Sequence, residues 1–387
     1  MRSRLSFRTA TARERDVNAL HRHYQQPINR TTEELNWYLV SPARQAAFDV
    51  LRKVSQGGYA SDLLLKQTAA LDPRDAGLAS EIVFGCLRYQ AQLDHLISCF
   101  VPRPPDPEIR MILRMGIYQL RYLDRIPPHA AVGESVELAK RARKQAASGL
   151  VNAVLRKVDR QPLAWPDQPT ELSMPAWLLE KWERQFGPET TEKIATTFLQ
   201  PVETHRASTG RIQDISAQSV APHLDLQPGM TLLDLCAAPG NKTAQALEYG
   251  VRVVACDIHW HRLKELKDLG CPRVVLDATQ PLPFNTTFDR ILVDAPCSGT
   301  GTLGRNPEIK WRLQSSDLLP LHRKQVALLR NALRYLKPGG RLVYATCSLE
   351  EEENRLVIQA VPGRWQFTER IPGVQPGDGF FVAVLTS

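Results

Sequence analysis

No run of about eighteen apolar residues occurs in the 387-residue chain, which excludes a membrane-spanning helix. The opening residues Met1 to Arg8 place no apolar stretch behind their charges, so a secretory signal is not expected. Aromatic residues are scarce at 7%, and the seven cysteines are an odd number scattered along a long chain. Such a set does not build a disulfide framework. No cysteine pair has a second pair at zinc-finger spacing, so no metal site is expected either. These absences predict a reduced, cytoplasmic protein. With 43% hydrophobic and 23% charged residues, wholesale disorder is excluded as well.

The length predicts two or three domains. The net charge of +8 is unevenly spread. Residues 1–160 hold 25 Lys and Arg against 16 Asp and Glu, residues 161–210 hold 4 against 7, and residues 211–387 hold 20 against 18. A basic module joined to a nearly neutral one suits a polyanion-binding part attached to a different working part. Many basic proteins bind no nucleic acid, so charge alone does not decide this.

Residues 1–40 are polar, basic and without apolar periodicity, and read as a flexible extension. Ser41-Pro42 then starts a helix, with serine as cap and proline in the first turn. Apolar stripes at helical spacing run from Ala43 to Val54 and recur over Leu78–Leu87, Leu93–Phe100, Ile109–Leu123, Ala130–Ala142 and Leu150–Val158. Residues 41–160 are therefore expected to be an all-helical domain. Residues 161–210 bear prolines and tryptophans and read as a packed linker with short helices.

From Thr231 the pattern changes to short β-rich runs: Thr231–Leu235, Arg252–Cys256, Arg273–Leu276, Arg290–Val293 and Arg341–Thr346. Strands alternating with helical stretches imply a doubly wound α/β sheet over residues 211–387. Phe380–Leu385 is expected to close it as an edge or hairpin strand.

The chemistry sits at the strand ends. Leu232-Leu-Asp-Leu-Cys-Ala-Ala-Pro-Gly-Asn-Lys-Thr243 is a strand, a tight loop of small residues, then a helix. Small residues allow a ligand close to the backbone at the carboxyl end of the first strand. The spacing is not that of a phosphate-binding loop. Asp257 ends the second strand, where a carboxylate can accept both hydroxyls of a ribose. Asp277 follows the third, near the place of an adenine amino group. Each aspartate alone could be a helix cap. In succession after the small-residue loop (Cys236, Ala237, Ala238, Pro239, Gly240, Asn241 and Lys242) they predict an S-adenosylmethionine site. The fourth strand ends in Asp294-Ala-Pro-Cys-Ser-Gly-Thr-Gly301 and the fifth in Ala345-Thr-Cys-Ser348, bringing Cys297 and Cys347 to the cofactor face. Cys86, Cys99 and Cys256 read as packing, Cys271 lies in a loop, and Cys236 would touch the cofactor only by being small.

Residues 211–387 resemble the RNA cytosine-C5 methyltransferases, on Asp294-Ala-Pro-Cys-Ser-Gly-Thr-Gly301 and Thr346-Cys-Ser348. Residues 42–160 resemble the RNA-binding antitermination factor NusB, on Ile126-Pro-Pro-His-Ala-Ala-Val132, Glu134 to Lys140 and Val151-Asn-Ala-Val-Leu-Arg-Lys157. The combination is similar to the bacterial 16S rRNA cytosine-C5 methyltransferases of the RsmB, Sun and Fmu type. The resemblance implies a NusB-like helical domain and a Rossmann-like, class I S-adenosylmethionine-dependent methyltransferase domain, acting as a monomer on small-subunit ribosomal RNA. It further implies Cys347 as the nucleophile at cytosine C6, Cys297 as the group assisting proton removal or enzyme release, and Asp294 beside N3 and N4 of the base. Lys242 and Asn354 match family positions. Glu350 to Glu353 read instead as a helix start favoured by its dipole. The basic residues Arg110, Arg114, Arg121, Lys140, Arg141, Arg143 and Lys144 are expected to meet RNA phosphates.

The sequence departs from the family in two places. Asn241 stands where a second glycine is common, and asparagine tolerates a left-handed backbone. The RRM-like subdomain expected before Gln213 is absent or reduced, since His205 to Arg211 runs almost directly into the catalytic domain. The competing readings are a DNA cytosine methyltransferase, an m5C methyltransferase on another RNA, and a non-catalytic RNA-binding ribosome assembly factor. The cysteine of Thr346-Cys-Ser348 favours RNA over DNA.

Overall fold

The computed structural model describes residues 40–158 and 164–387. The basic extension expected over residues 1–40 falls, but for Val40, outside the described residues.

Among the described residues seven α-helices build the helical domain: α1 (Pro42–Val54), α2 (Ala60–Gln67), α3 (Pro73–Arg88), α4 (Gln90–Phe100), α5 (Pro107–Tyr122), α6 (Pro128–Arg141) and α7 (Ser148–Leu155). Local chemistry sets their starts. Asp72 accepts the Arg74 and Asp75 N–H groups ahead of α3, Asp106 accepts the Glu108 N–H ahead of α5, and each is followed by proline. Ser41 takes the start position of α1 but caps no backbone N–H. Its hydroxyl accepts from Arg44, which sits inside the apolar stripe, buried, and pairs with Glu134 of α6 at 2.8 Å and with Gln119 of α5. That pairing makes the buried charge tolerable. The apolar stripes meet in a single core running from Val40 to Leu155. The helix α2 has no counterpart in the sequence reading, because Leu65 on it is exposed and its apolar stripe is short.

Two helices, α8 (Ala176–Phe186) and α9 (Pro188–Phe198), follow. Trp182, Ile194 and Phe198 form a buried cluster with Leu303 and Leu349, which ties them to the loops of the sheet domain.

The sheet has seven strands: β1 (Thr231–Asp234), β2 (Arg252–Asp257), β3 (Arg273–Val275), β4 (Phe288–Asp294), β5 (Leu336–Thr346), β6 (Trp365–Arg370) and β7 (Phe380–Thr386), in the order β3-β2-β1-β4-β5-β7-β6. Strands β1 to β5 are parallel, and β7 runs antiparallel between β5 and β6. The expected closing strand is therefore half right. It forms a hairpin with β6 but lies inside the sheet, and β6 is the edge. Phe381 and Ala383 are buried on one face and Phe380 and Val382 on the other, which is the pattern of an interior strand. Helix α10 (Asn241–Leu247) covers one face, while α11 (Leu318–Leu333) and α12 (Arg355–Gln359) cover the other. Leu342 and Tyr344 point to one layer and Val343 and Ala345 to the opposite one, so the second half of β5 is an unbroken apolar run. Among the described residues no helix is long and apolar enough to cross a membrane.

Candidate active site

The carboxyl ends of β1, β2, β4 and β5 open into one cleft of about 570 Å³. Strand β1 delivers Asp234, buried, whose Oδ2 accepts from the Thr243 hydroxyl at 2.7 Å. Burial pushes its carboxyl up to about 7. The loop beyond it turns at Gly240, with φ 97°, and a Cβ there would stand 2.6 Å from the Leu266 side chain. Glycine is required on both counts. The left-handed residue is thus Gly240. Asn241 begins α10 and needs no left-handed backbone; its side chain bonds Arg211 and the Ile212 carbonyl.

Asp257 at the end of β2 is nearly buried, with Oδ1 accepting the His259 N–H at 2.9 Å and Arg262 4.0 Å from Oδ2. Asp277, beyond β3, accepts both the N–H and the hydroxyl of Thr279, which holds its carboxyl below the usual range. Asp294 at the end of β4 receives the Lys242 Nζ at 2.6 Å. The cleft is lined by Cys236, Ala238, Pro239, Asn241, Lys242, Asp257, Asp277, Asp294, Cys297 and Cys347. Of the residues singled out in the sequence, Ala237 faces a small adjoining cavity beneath the loop, and Gly240 lines neither cavity.

The two cysteine sulfurs lie 3.5 Å apart. The neighbouring Cys347 sulfur, reinforced by burial, raises the Cys297 thiol well above its ordinary range. Burial likewise raises the thiol of Cys236, and Cys86 and Cys256 are buried as packing residues. Cys99 is not: it is exposed, 3.7 Å from the His95 ring.

The glutamates after Thr346-Cys-Ser348 open a short helical turn, Glu351–Glu353, as expected, but Glu350 and Glu353 are fully buried. The Glu353 carboxylate accepts from the Ser298 N–H at 2.8 Å, the Ser298 hydroxyl, the Ser348 hydroxyl at 2.6 Å and the Gln325 amide at 3.0 Å. One carboxylate thereby joins both cysteine loops to α11. Glu350 accepts from the Trp182 indole N–H at 3.0 Å, and burial pushes it up to about 7. Asn354 accepts from the Thr346 hydroxyl and donates to the Ser348 carbonyl, fixing the turn around Cys347 from within. Gly301 packs so closely that a Cβ would lie 2.2 Å from the Gly379 carbonyl oxygen and 2.8 Å from that of Cys347.

A further group was not singled out in the sequence. Arg305 bridges Asp214 at 2.8 Å and Asp378 at 2.7 Å along the cleft. Burial raises Asp378 to about 6, whereas at Asp214 the hydrogen bonds from Asp378, Ser216 and Arg305 outweigh burial and lower it. Their positions, 91 and 73 residues from Arg305, leave no local signal.

The five parallel strands, the antiparallel β7 and acids at successive strand ends define an S-adenosylmethionine-dependent methyltransferase fold. Residues 221–366 match the family of 16S rRNA methyltransferases RsmB/F, and residues 41–160 match the NusB family. The chain belongs to the RsmB/F family and is an S-adenosylmethionine-dependent rRNA methyltransferase. It is 34% identical to ribosomal RNA small subunit methyltransferase B of Klebsiella pneumoniae, over 90% of this chain and 98% of that one. It is 32% identical to the probable ribosomal RNA small subunit methyltransferase B of Bacillus subtilis, over 86% and 89%. The crystal structure of PH0851 shares the fold, with a TM-score of 0.76 at 22% identity over 90% of this chain and 99% of that one.

Proposed function

We propose that the protein transfers a methyl group to C5 of a cytosine in 16S ribosomal RNA through a covalent bond between Cys347 and C6. The observation that carries this reading is the pair of sulfurs 3.5 Å apart in the same cleft as Asp257 and Asp277. S-adenosylmethionine, when bound, supplies an electrophilic methyl group. The loop from Cys236 to Lys242 suits it, because Gly240 leaves no side chain on the turn, and the Asp257 Oδ2, beside Arg262, suits its ribose hydroxyls. Ile258 and Leu276 give that end of the cleft apolar walls, and Asp277 lies beside them.

Cytosine C5 is a weak nucleophile. Addition of the Cys347 thiolate to C6 pushes electron density to C5, which then takes the methyl group. Asp294, held by Lys242 at 2.6 Å and lining the same cleft, is suited to bond the N3 and N4 edge of the base during this addition. A solvent base takes the C5 proton, the electrons of that C–H bond re-form the C5–C6 double bond, and the C6–S bond breaks to expel Cys347 as the thiolate that attacked. Cys297, 3.5 Å from that sulfur, is suited to assist the proton's removal or the release of the enzyme. Glu353 keeps the two loops in register for these steps.

Helices α1 to α7 serve as the RNA-holding part. The cations expected to meet phosphates divide in the structure. Arg114 is bound to Asp94 at 2.6 Å, Lys140 to Glu137 and Lys144 to Asp106, so these are partly neutralised. Arg143 is exposed, as is Lys157 near the end of the domain. The site of action is the cytoplasm, where ribosomal RNA is assembled. Transfer of labelled methyl groups to 16S rRNA, followed by mapping of the modified base, tests the reading. Label at any atom other than cytosine C5 overturns it.

A further inference from the structure

Among the described residues the helical domain meets the rest of the chain in two places. Tyr89, Ala91 and Gln92 bond Leu199, Ser173 and Glu171 around α8 and α9. A short segment of the sheet domain, Gly304 to Arg312, which follows the Cys297 turn, bonds three helix ends directly. Helix ends leave backbone groups without partners. Here several of those partners come from the other domain. Arg312 donates to the Val54 carbonyl at 2.8 Å, the Gly57 carbonyl at 3.2 Å and the Gly58 carbonyl, at the C-terminal end of α1. Trp311 donates its indole N–H to the Leu87 carbonyl at 2.6 Å, and Lys310 donates to the Arg88 carbonyl at 2.9 Å, at the C-terminal end of α3. Glu308 accepts the Ala60 N–H at 2.9 Å, at the N-terminal end of α2. In return Arg88 donates to the Gly304 carbonyl at 3.3 Å.

The signs are complementary at all three ends: cations meet carbonyls and a carboxylate meets an amide, as helix dipoles favour. Glu308 and Lys310 are each 1% exposed, so neither belongs to a solvated rim. Burial, aided by Arg88, pulls the Lys310 ammonium down to about 7, which lets it serve as a neutral donor as well as a charged one. Three residues ahead of the segment, the Gly301 N–H donates to the Cys347 carbonyl at 2.9 Å. The chain from Gly301 to Arg312 thus touches the nucleophile's turn and grips three helices.

We propose that residues 304–312 form a clamp that sets the helical domain against the cysteine loops, with Arg312 and Glu308 as positioning residues for methyl transfer. The inference rests on the reading that the helical domain holds the RNA. Without the clamp, RNA is still bound, but its cytosine is presented to Cys347 in many orientations, so turnover falls while binding persists.

The test uses the full chain with Arg312→Ala, Glu308→Gln and the double variant, alongside Arg312→Lys and the milder Trp311→Phe. In the double variant, kcat on 16S rRNA is expected to fall at least tenfold, with RNA and S-adenosylmethionine affinities within about twofold of the parent. Arg312→Lys, which keeps donors for the carbonyls, should recover part of kcat. Pulsed dipolar distances between labels on α2 and α11 should broaden from one narrow distribution. Unchanged kcat, or a distribution as narrow as the parent's, overturns the clamp. So does a kcat loss that only follows lost RNA affinity. If Arg312→Ala does not fold, Trp311→Phe and Arg312→Lys are read by the same criteria. Failure of the parent to methylate 16S rRNA would instead sink the functional reading, and the distance measurement would still judge the clamp.

Discussion

The Cys297 and Cys347 sulfurs lie 3.5 Å apart although 50 residues separate them in the chain. Strands β4 and β5 are neighbours in the sheet, with Asp294 paired to Ala345, so their following loops meet at one end. A pair so placed can divide attack and release. Cys347→Ala should abolish methyl transfer and leave no covalent RNA adduct. Cys297→Ala should still attack and methylate but stall at release. It would then accumulate a protein–RNA species that survives denaturing electrophoresis and disappears on nuclease digestion. An adduct persisting in Cys347→Ala would reverse the assignment.

Asp257 tests the cofactor site. A hydrogen bond to a charged group contributes roughly 1.5–3 kcal/mol. Asp257→Ala should therefore weaken S-adenosylmethionine binding by about tenfold or more, one decade being about 1.4 kcal/mol. Calorimetry on the folded variant checks this, and an unchanged affinity rejects the ribose role.

Glu353 gives a contrasting prediction. Its carboxylate holds both cysteine loops but does not line the cleft. Glu353→Ala strands several buried donors, each at a cost of about 1–3 kcal/mol. We expect a lowered melting temperature and a turnover loss of about a hundredfold, with cofactor affinity nearly kept. Equal losses of turnover and cofactor binding would show that the residue supports the cofactor loop instead.

Glu350 links the fold to pH. Its carboxyl is raised from 4.5 to about 7 by burial, so the folded chain binds a proton that the unfolded chain has lost between those values. The stabilising contribution is full below pH 4.5 and is lost as pH rises through about 7. Glu350→Gln keeps an acceptor for Trp182 without the titration. The variant should gain stability relative to the parent on going from pH 5 to pH 8, by roughly 2–3 kcal/mol. Denaturant unfolding at the two pH values measures it; a difference independent of pH contradicts the assignment.

Arg143 and Lys157 probe the RNA-holding role of the helices. If both meet phosphates, replacing them with alanine should lower 16S rRNA affinity and flatten its salt dependence by about one unit of slope per residue. A slope equal to the parent's would remove these residues from the RNA contact.

Much of this protein was determined by local sequence. Apolar residues at helical spacing marked α3 and α5, because periodicity acts within a turn or two of chain. Apolar runs ending in Asp234, Asp257 and Asp294 marked parallel strands, because a sheet covered on both faces needs nearly continuous apolar sequence. The cleft residues were legible for the same reason: a strand end fixes where its next residue stands. Tertiary structure decided what depends on a distant partner. Glu353 read only as part of a helix start, and burial placed it among Ser298, Ser348 and Gln325. Arg305 finds Asp214 and Asp378, β7 enters the sheet between β5 and β6, and Arg312 caps a helix 254 or more residues earlier. No spacing rule reaches that far, since a hydrogen bond acts over about 3 Å of space whatever the length of chain between its ends.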